Sequence, residues 1–431
     1  MKQHFSPSGP GGPPPLWRHP WAVYGFCVIA QFWLGLRVPL VADELYYIAW
    51  GHHPELGYFD HPPMVAWFLN LSGVPSRWLA FAVCHASIWI LTDAGRLAGC
   101  IAWRWIPTIL LATPLGMAWG VFWTPDAPLM LAWCLVVRSV LGGHAIVCGL
   151  ALAFGLWSKS TMCLCVPGIL WSLGPRSGGI AVGLALCLYA PHIAWSIAHE
   201  GLPWSYQADR HAFGFYAPVN LLTQLALAGP ALAVFGLWHL WRRTDTLGAT
   251  LYRLLCPIVI FWGGLSVWVR LEGNWPALIW PPLALMLTQH ISAGIRRSAI
   301  GFGLVTIGTL VAVASHRPAL KTLPDIRQAE MYVQCADALS RHSQLAAIRY
   351  QEKAQLDALH VKVEYARPIQ RRRSQYDLWF PNNGLSCGDV VVGPLDVEWE
   401  ACDARRPMEL SCGMTIHHCH CAQKKTSEPK L

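Results

Sequence analysis

Long apolar segments fill most of this chain before residue 316, and they constrain its fold more than any other feature. Only 13% of the 431 residues are charged, against roughly 25% in a soluble globular protein, and the mean hydropathy is +0.35. A helix needs about 20 apolar residues to cross a bilayer, so the sequence predicts an α-helical multi-pass membrane protein with about eleven spans, some of them short. The segments are 21–41, 78–95, 105–123, 127–142, 144–157, 161–173, 178–197, 218–240, 254–269, 275–290 and 298–315.

Composition divides the chain into three parts. Residues 1–20 are rich in Pro and Gly and show no signal peptide, so we expect a disordered cytoplasmic leader. Residues 21–315 are expected to form the multi-span membrane domain. Residues 316–431 mix charged residues with a helical pattern near 323–342 and β-type runs such as Val390–Val392. This composition predicts a small C-terminal α/β or α+β domain.

The placement of arginine predicts the orientation in the membrane. With a cytoplasmic N-terminus, the short connections on that side carry most of the arginines, as the positive-inside rule requires. The net charge of +8 is therefore interpreted as topology and not as nucleic-acid binding. An odd number of spans places the C-terminal domain outside. The external face then gathers the reactive polar residues, namely Asp43, Glu44, Asp60, His61, Asp126, Lys159, His199, Glu200, Glu272 and Asn274.

Two adjacent carboxylates, Asp43 and Glu44, follow the first apolar segment in the sequence Ala-Asp-Glu-Leu-Tyr-Tyr. Carboxylates are costly near hydrocarbon and are functional hypotheses by default. A carboxylate here could accept a proton from an attacking hydroxyl or amine. It could instead orient an acceptor or help to hold a divalent metal, and the spacing does not choose among these roles. The alternative is a solvated loop within an aromatic belt.

Three further motifs carry polar residues on the same side. His61 lies beside a rigid Pro-Pro pair in Gly57–Pro63, where an imidazole could hold a phosphate or simply lie at the interface. Asp126, in Thr-Pro-Asp-Ala-Pro, is either a second functional carboxylate or a helix N-cap. Lys159, between two serines, could pair with a phosphate or extend its ammonium from a helix end into water.

Aromatic residues beside amides and carboxylates suggest where a sugar could bind. Such pairs suit a sugar, although they also suit any membrane interface. The external loop 195–207 is rich in aromatic residues, and two later motifs add amides. We predict substrate contacts from Tyr58, Asp60, Gln224, Asn274 and Trp275.

The C-terminal domain contains six of the 15 cysteines, Cys335, Cys387, Cys402, Cys412, Cys419 and Cys421. Their spacing fits no standard zinc pattern, so disulfides or free thiols are expected rather than a metal site. The pairing among six cysteines cannot be read from sequence. The chain has no Walker A motif, no Gly-rich dinucleotide loop and no nucleophile elbow. It shows no clear inverted repeat of the transporter kind.

Taken in order, these motifs resemble those of bacterial family 39 glycosyltransferases, relatives of the protein O-mannosyltransferases and of the lipid A aminoarabinose transferase. The resemblance covers roughly residues 20 to 400. It implies a C-type glycosyltransferase fold, a sugar donor carried on polyprenyl phosphate, and an active site on the periplasmic face of the bacterial inner membrane. The matching segments are 42–47, 57–63, 124–128, 158–161, 195–200, 224–230 and 272–276, with Tyr350-Gln351 and 372–379 in the C-terminal part.

The resemblance also implies roles for the acidic residues. Asp43 matches the acidic residue of the family's first loop, which is expected to bind or deprotonate the acceptor, and Glu44 is its neighbour in the motif. Asp126 matches a second acidic residue in the next external loop. These three carboxylates are the catalytic candidates.

Other matches imply contacts to the donor. His61 stands where the aminoarabinose enzymes carry a Lys that is thought to contact the lipid phosphate. Lys159 and Asn274 match pattern positions and are expected to contact phosphate or sugar. The chain departs from the pattern at Ser196, where many relatives have Asn, and in its Cys/His-rich end after about residue 400.

The resulting hypothesis is a membrane glycosyltransferase that moves a sugar from a polyprenyl-phosphate donor to a lipid, glycan or protein acceptor. No cofactor is required by the sequence, although a divalent metal remains an option. One alternative is a transporter or flippase for a lipid-linked sugar, which would distribute functional charges through the membrane. Another is a non-catalytic membrane scaffold that recruits a partner through its C-terminal domain.

Overall fold

A computed structural model describes residues 19–209, 213–290, 292–366, 374–380, 389–392, 404–412 and 414–420. Most of the N-terminal leader, Cys387, Cys402, Cys421 and residues 372–373 of the C-terminal motif lie outside the described residues. The described chain is mostly helical. The helices are α1 (Pro20–Arg37), α2 (Ala42–Gly51), α3 (Met64–Ser72), α4 (Ser76–Leu97), α5 (Ile106–Leu111), α6 (Pro114–Trp119), α7 (Asp126–Leu141), α8 (Ala145–Ser158), α9 (Val166–Ala198), α10 (Leu202–Asp209), α11 (Ala217–Ala228), α12 (Leu237–Arg242), α13 (Thr246–Trp268), α14 (Trp280–His290), α15 (Ala293–Ser315), α16 (Arg317–Leu320), α17 (Pro324–Leu339), α18 (Tyr350–Ala358) and α19 (Gln375–Trp379).

Four helical segments of the described chain are long and apolar enough to cross a membrane, namely α4, Ser160–Ala198 (which includes α9), α13 and α15. Two bent pairs would raise the number to six. The pair α1 and α2 bends by 81°, and the pair α11 and Leu232–Arg242, which contains α12, bends by 101°. The predicted membrane-spanning helical architecture is thus present with four to six candidate spans. The count of about eleven spans, which assumed one span for each apolar run, is not confirmed.

Glycine and proline break several of the apolar runs. The run at 105–123 folds as the six-residue helices α5 and α6, with Pro114 opening the second. Gly229 has a φ of 83° and, with Pro230 after it, ends α11 inside the run at 218–240. Gly174 has a φ of 77° and precedes Pro175, which kinks α9. Proline lacks an amide hydrogen and disfavours a helical residue before it, so an apolar run need not be a single helix.

The core of the membrane domain forms around α7. This helix packs against α4 on one side and α8 on another, and α8 packs against α9. The indole Nε1 of Trp133 in α7 donates a hydrogen bond to the Leu278 carbonyl at 2.7 Å. At Gly149 in α8, a Cβ atom would lie 2.7 Å from the Ala181 carbonyl oxygen of α9. The small residue therefore allows the two helix backbones to approach closely.

The C-terminal domain contains a mixed sheet in the order β2-β1-β3-β5-β4. Strand β1 is parallel to both β2 and β3, and β5 is antiparallel to β3 and β4. A separate hydrophobic cluster joins the sheet to α17 and α18. A disulfide between Cys335 of α17 and Cys412, in the turn after β4, links helix and sheet. The strands are β1 (Leu345–Ala347), β2 (Glu364–Tyr365), β3 (Val390–Val392), β4 (Ala404–Glu409) and β5 (Thr415–His420).

The C-terminal domain docks on α2 of the membrane domain. Helix α18 packs directly against α2. The ring centroid of Tyr46 in α2 lies 4.4 Å from that of Tyr350 in α18 and 5.6 Å from that of Tyr376 in α19. These rings belong to one buried cluster shared by both domains. The helix that carries the first predicted carboxylates therefore packs against the C-terminal domain.

Candidate functional site

A cavity of about 550 Å³ lies where several helix ends meet beneath the C-terminal domain. It is bounded by α2, the loop between α2 and α3, the start of α7, the segment after α8, part of α13, the segment 272–275 and the start of α18. The cavity therefore brings together polar residues that are far apart in the sequence. Of the predicted site residues, it is lined by Asp43, Asp60, His61, Asp126, Lys159, Asn274 and Trp275.

Asp43 lies in the first turn of α2, and its side chain is exposed to solvent at the cavity. The Tyr350 hydroxyl donates a hydrogen bond to its Oδ1 at 2.9 Å. Burial raises the pKa of the Tyr350 hydroxyl well above its ordinary value, and the Asp43 and Asp60 carboxylates act in the same direction. Tyr350 therefore remains a protonated donor, and it holds Asp43 from the opposite domain.

Asp126 forms a buried polar group with Lys159 and Asn274. The Lys159 Nζ lies 2.8 Å from Asp126 Oδ1, and Asn274 Nδ2 donates to Asp126 Oδ2 at 2.5 Å. Asp126 is the first residue of α7, and the N-cap position that the sequence allowed for it is occupied by Pro125. The Lys159 side chain is 8% exposed and is directed to this carboxylate. The three residues thus form a fixed set of donors and acceptors at the cavity.

The loop that carries Asp60 and His61 is shaped by Tyr58. The Tyr58 hydroxyl donates to the Trp50 and His53 carbonyls at 3.0 and 2.7 Å, and its ring stacks on Trp50 at 4.3 Å. Its backbone amide donates to the His61 carbonyl at 3.1 Å. Tyr58 itself does not line the cavity. It fixes the turn that brings Asp60 and His61 there.

Glu44 also lies outside the cavity, although it is adjacent to Asp43. Its side chain is fully buried and forms an ion pair with Arg77, with Oε2 and Nη2 2.7 Å apart. The other oxygen accepts a hydrogen bond from the Trp123 amide at 3.2 Å. Arg77 is a residue that the sequence interpretation did not include. These contacts place Glu44 in a structural pair behind the cavity wall.

Gln224 contacts the backbone of a cavity loop without lining the cavity. Its Nε2 donates to the Gly273 carbonyl at 3.0 Å, and its Oε1 accepts from the Trp280 indole at 2.8 Å. The next two residues after Gly273, Asn274 and Trp275, both line the cavity. Gln224 therefore contacts the main chain directly before Asn274 and Trp275, two of the residues predicted to contact substrate.

Several lining residues were absent from the predicted site. Two of them, Tyr46 and Tyr47, belong to the same motif as Asp43, and their spacing could have identified them. Positions three and four residues after Asp43 share its helix face. Tyr350 was part of the matched C-terminal motif, but nothing in its local sequence links it to Asp43. The additional lining residues include Tyr46, Tyr47, Trp204, Phe261, Trp262, Glu272 and Tyr350.

Within the part of the chain that the structure describes, no group of three or more His, Cys, Asp or Glu side chains is arranged to hold a metal ion. Two of the six cysteines of the C-terminal domain, Cys335 and Cys412, form the disulfide described above.

Comparison with known sequences places the chain near a lipid-modifying enzyme. No protein-family model matches it. It is 24% identical over 272 residues to the lipid A galacturonosyltransferase RgtD of Rhizobium johnstonii, an alignment that covers 54% of this chain and 56% of the relative. The chain therefore spans little more than half the length of the curated relative that it matches.

Comparison with solved structures identifies the fold. The crystal structure of ArnT from Cupriavidus metallidurans in the apo state matches with a TM-score of 0.65 at 12% identity, covering 92% of this chain and 96% of that chain. The chain has the C-type glycosyltransferase fold. The structure of ArnT from the same organism bound to undecaprenyl phosphate matches with a TM-score of 0.62 at 13% identity, covering 92% and 97% of the two chains. The resemblance to C-type glycosyltransferases that the motifs indicated is confirmed, and at these identities the structural likeness concerns the fold.

Proposed function

We propose that this protein is an integral-membrane glycosyltransferase that moves a sugar from a polyprenyl-phosphate donor to a lipid, glycan or protein acceptor. The support comes from the ordered motifs, from the ArnT-like fold, and from the sequence similarity to a lipid A galacturonosyltransferase. A structure with this fold binds undecaprenyl phosphate, which is a donor carrier of the proposed class. Because the curated relative transfers a sugar to lipid A, a lipid is the first acceptor to test.

The observation that carries the proposal is the arrangement of charge in the cavity. An exposed carboxylate, Asp43, lies at the same cavity as the ammonium of Lys159 and the imidazole of His61. A glycosyl transfer from a lipid phosphate needs a group that receives the acceptor proton and groups that stabilise the departing phosphate. The cavity supplies both kinds of group. It is also lined by Trp275 and Trp262, whose aromatic side chains suit a sugar ring.

In the proposed reaction, the acceptor oxygen or nitrogen forms a bond to the anomeric carbon of the sugar. The bond from that carbon to the phosphate oxygen breaks, and its electron pair leaves with the polyprenyl phosphate. The acceptor proton passes to the Asp43 carboxylate, which Tyr350 orients through its hydroxyl at 2.9 Å. His61 and Lys159 stabilise the negative charge that develops on the phosphate. No nucleotide site is required, because the donor arrives within the membrane.

The other predicted residues receive supporting roles. Asp126 holds the Lys159 ammonium in place at 2.8 Å, and with Asn274 it limits where that charge can lie. Asp60 is proposed to contact the sugar from the loop beside His61. Glu44, by contrast, is proposed to stabilise the fold through Arg77.

We further propose that the cavity faces the periplasm of a bacterial inner membrane. The arginine distribution supports this orientation. The Cys335–Cys412 disulfide of the C-terminal domain is also consistent with it, since disulfides persist in the periplasm and not in the cytoplasm. In this arrangement, shorter helices such as α7, α8 and α14 would also cross the membrane, as the proposed count of about eleven spans requires.

The function can be tested with purified protein in nanodiscs. A panel of radiolabelled undecaprenyl-phosphate sugars is offered with a membrane extract as acceptor, and release of undecaprenyl phosphate is followed. We expect release from one donor class, and a loss of at least about 100-fold in Asp43→Asn, because proton transfer to a positioned group contributes that much. Asp325→Asn is the matched control. Asp325 is also an exposed aspartate in the second position of a helix, but it lies outside the cavity.

The outcome separates the proposal from its alternatives. Release that depends on Asp43 but not on Asp325 supports a transferase, and the reacting donor identifies the sugar. An Asp43→Asn enzyme with full activity would remove the proposed role of this carboxylate. Folded protein that releases nothing from any donor, yet moves a lipid-linked sugar across liposomes, would favour the flippase. Inactivity in both assays would favour a scaffold.

A further inference from the structure

One buried glutamine of the C-terminal domain contacts two elements that contribute residues to the cavity lining. Gln375 begins α19 and is 0% exposed. Its side-chain Oε1 accepts a hydrogen bond from the Phe59 backbone amide at 2.7 Å. Its own backbone amide donates to the Tyr46 hydroxyl at 2.5 Å. Phe59 belongs to the loop between α2 and α3, and Tyr46 belongs to α2, so Gln375 joins this loop to this helix.

The position of Phe59 makes this contact relevant to the cavity. The two residues that follow it, Asp60 and His61, both line the cavity, whereas Gln375 does not. We propose that Gln375 is a positioning residue, which fixes the main chain at Phe59 so that Asp60 and His61 face the substrate. The proposal rests on the glycosyltransferase function proposed above. It means that the membrane domain acquires its active geometry only when the C-terminal domain is docked.

Helix α19 is fixed by hydrogen bonds near both of its ends. Asp377 Oδ2 accepts hydrogen bonds from the Ser374 amide at 2.6 Å and from the Tyr365 hydroxyl at 3.1 Å. Tyr365 belongs to β2, so the sheet and α19 are tied together. At the other end of the helix, the Trp379 indole donates to Glu55 Oε1 at 2.9 Å. Polar contacts therefore run from the sheet through α19 to two positions of the loop, Glu55 and Phe59.

The consequence of removing the glutamine acceptor follows from burial. Phe59 is 3% exposed, and buried backbone amides are almost always hydrogen-bonded. Without the Gln375 oxygen, the amide would lose this hydrogen bond, and the main chain at Phe59 would be fixed less firmly. A displacement of about 1 Å at a reacting group can cost roughly 100-fold in rate. The effect should appear in the turnover of bound substrate more than in overall stability.

The test compares three variants of the full chain. Gln375→Met keeps the length of the side chain but removes the acceptor. Gln375→Glu keeps an acceptor oxygen in the same place. Gln355→Met is the matched control, since Gln355 is a buried glutamine of α18, 2% exposed, whose amide has no hydrogen-bond partner among the described residues. We expect kcat to fall roughly 100-fold in Gln375→Met, to recover at least tenfold in Gln375→Glu, and to stay near wild type in Gln355→Met.

A second readout does not depend on activity. Hydrogen–deuterium exchange of peptides covering residues 55–63 should be faster in Gln375→Met than in wild type, and unchanged in Gln355→Met. In a His61→Ala background, Gln375→Met should lower kcat little further, because a residue that acts through another is not additive with it. Wild-type kcat together with wild-type exchange in Gln375→Met would overturn the proposal. If the wild-type protein transfers no sugar, the proposed function fails, while the exchange data still decide whether Gln375 holds the loop.

Discussion

The buried ion pair between Glu44 and Arg77 allows the strongest quantitative prediction. The Glu44 side chain has no solvent exposure, and Arg77 Nη2 lies 2.7 Å from its Oε2. Two backbone amides, those of Trp123 and Val41, donate to the same carboxylate at 3.2 and 3.3 Å. In Arg77→Met, the carboxylate would stay buried with only these amides. Breaking a buried pair by removing one partner costs about 3–5 kcal/mol, and we expect a loss of this size.

Replacing Glu44 instead of Arg77 should lower the stability of the protein by a smaller amount. In Glu44→Gln, the amide oxygen can still accept from a backbone amide, so no buried charge is stranded on this side. Arg77 would keep its hydrogen bond to the Pro39 carbonyl at 2.8 Å and its position over the Phe122 ring at 4.9 Å. Its side chain is also 14% exposed, against 0% for Glu44. We expect a loss of about 1–3 kcal/mol. The double variant should be more stable than Arg77→Met alone.

Thermal unfolding in detergent, followed by tryptophan fluorescence, can measure this order. The expected order of stability is wild type, Glu44→Gln, the double variant and Arg77→Met. An Arg77→Met protein as stable as wild type would refute the reasoning, as would a double variant less stable than Arg77→Met. A transfer assay well below the unfolding temperature decides the role of Glu44. Retained transfer in Glu44→Gln fits a structural pair, whereas lost transfer at unchanged stability would restore Glu44 as a catalytic candidate.

Three further predictions concern other contacts. Lys159→Met should abolish transfer and destabilise the protein by about 3–5 kcal/mol, because it leaves the buried Asp126 carboxylate without its cation. The double variant with Asp126→Asn should regain stability in thermal unfolding but should not regain transfer. Replacing Cys335 and Cys412 by Ala opens a link across 77 positions and should lower the stability of the C-terminal domain by up to about 4.5 kcal/mol; limited proteolysis would detect it, and equal protection would contradict it. Tyr350→Phe should lower kcat/KM roughly tenfold, which matches about 1.5 kcal/mol for a hydrogen bond to a charged group, in the same transfer assay; an unchanged value would remove its orienting role.

The fold class could be predicted from the sequence because it depends on composition, whereas the number of spans depends on local breaks and on packing. Helix α7 illustrates the difference. The run at 127–142 was interpreted as a span, and in α7 its residues Trp133, Val136 and Val137 are fully buried against other helices, which fits both a central membrane helix and a core helix. A short apolar run is as consistent with a helix in a protein core as with one in lipid. Hydropathy cannot separate these cases, because both environments select the same side chains.

In the site, individual residues could be predicted from their local sequence, but the contacts between them could not. Asp126 and Lys159 could each be singled out by their apolar surroundings, but their pairing joins positions 33 apart in the sequence. Asn274 reaches the same carboxylate across 148 positions, and Gln375 reaches Phe59 across 316. No spacing rule links such residues, since the contacts exist only after the helices and the C-terminal domain have packed. The sequence therefore indicated which residues are unusual, but not what each of them contacts.

Helical geometry explains why the two adjacent carboxylates have separate roles. Successive residues on a helix are rotated by about 100°, so neighbours i and i+1 do not face the same way, whereas i, i+3 and i+4 do. Asp43, Tyr46 and Tyr47 share such a face, and all three line the cavity. Glu44 is consequently turned toward Arg77 on α4. Once α2 is known to be helical, only one member of an Asp-Glu pair can serve the cavity. The two tyrosines, and not the second carboxylate, are then the neighbours of Asp43 on which mutagenesis of the reaction should concentrate.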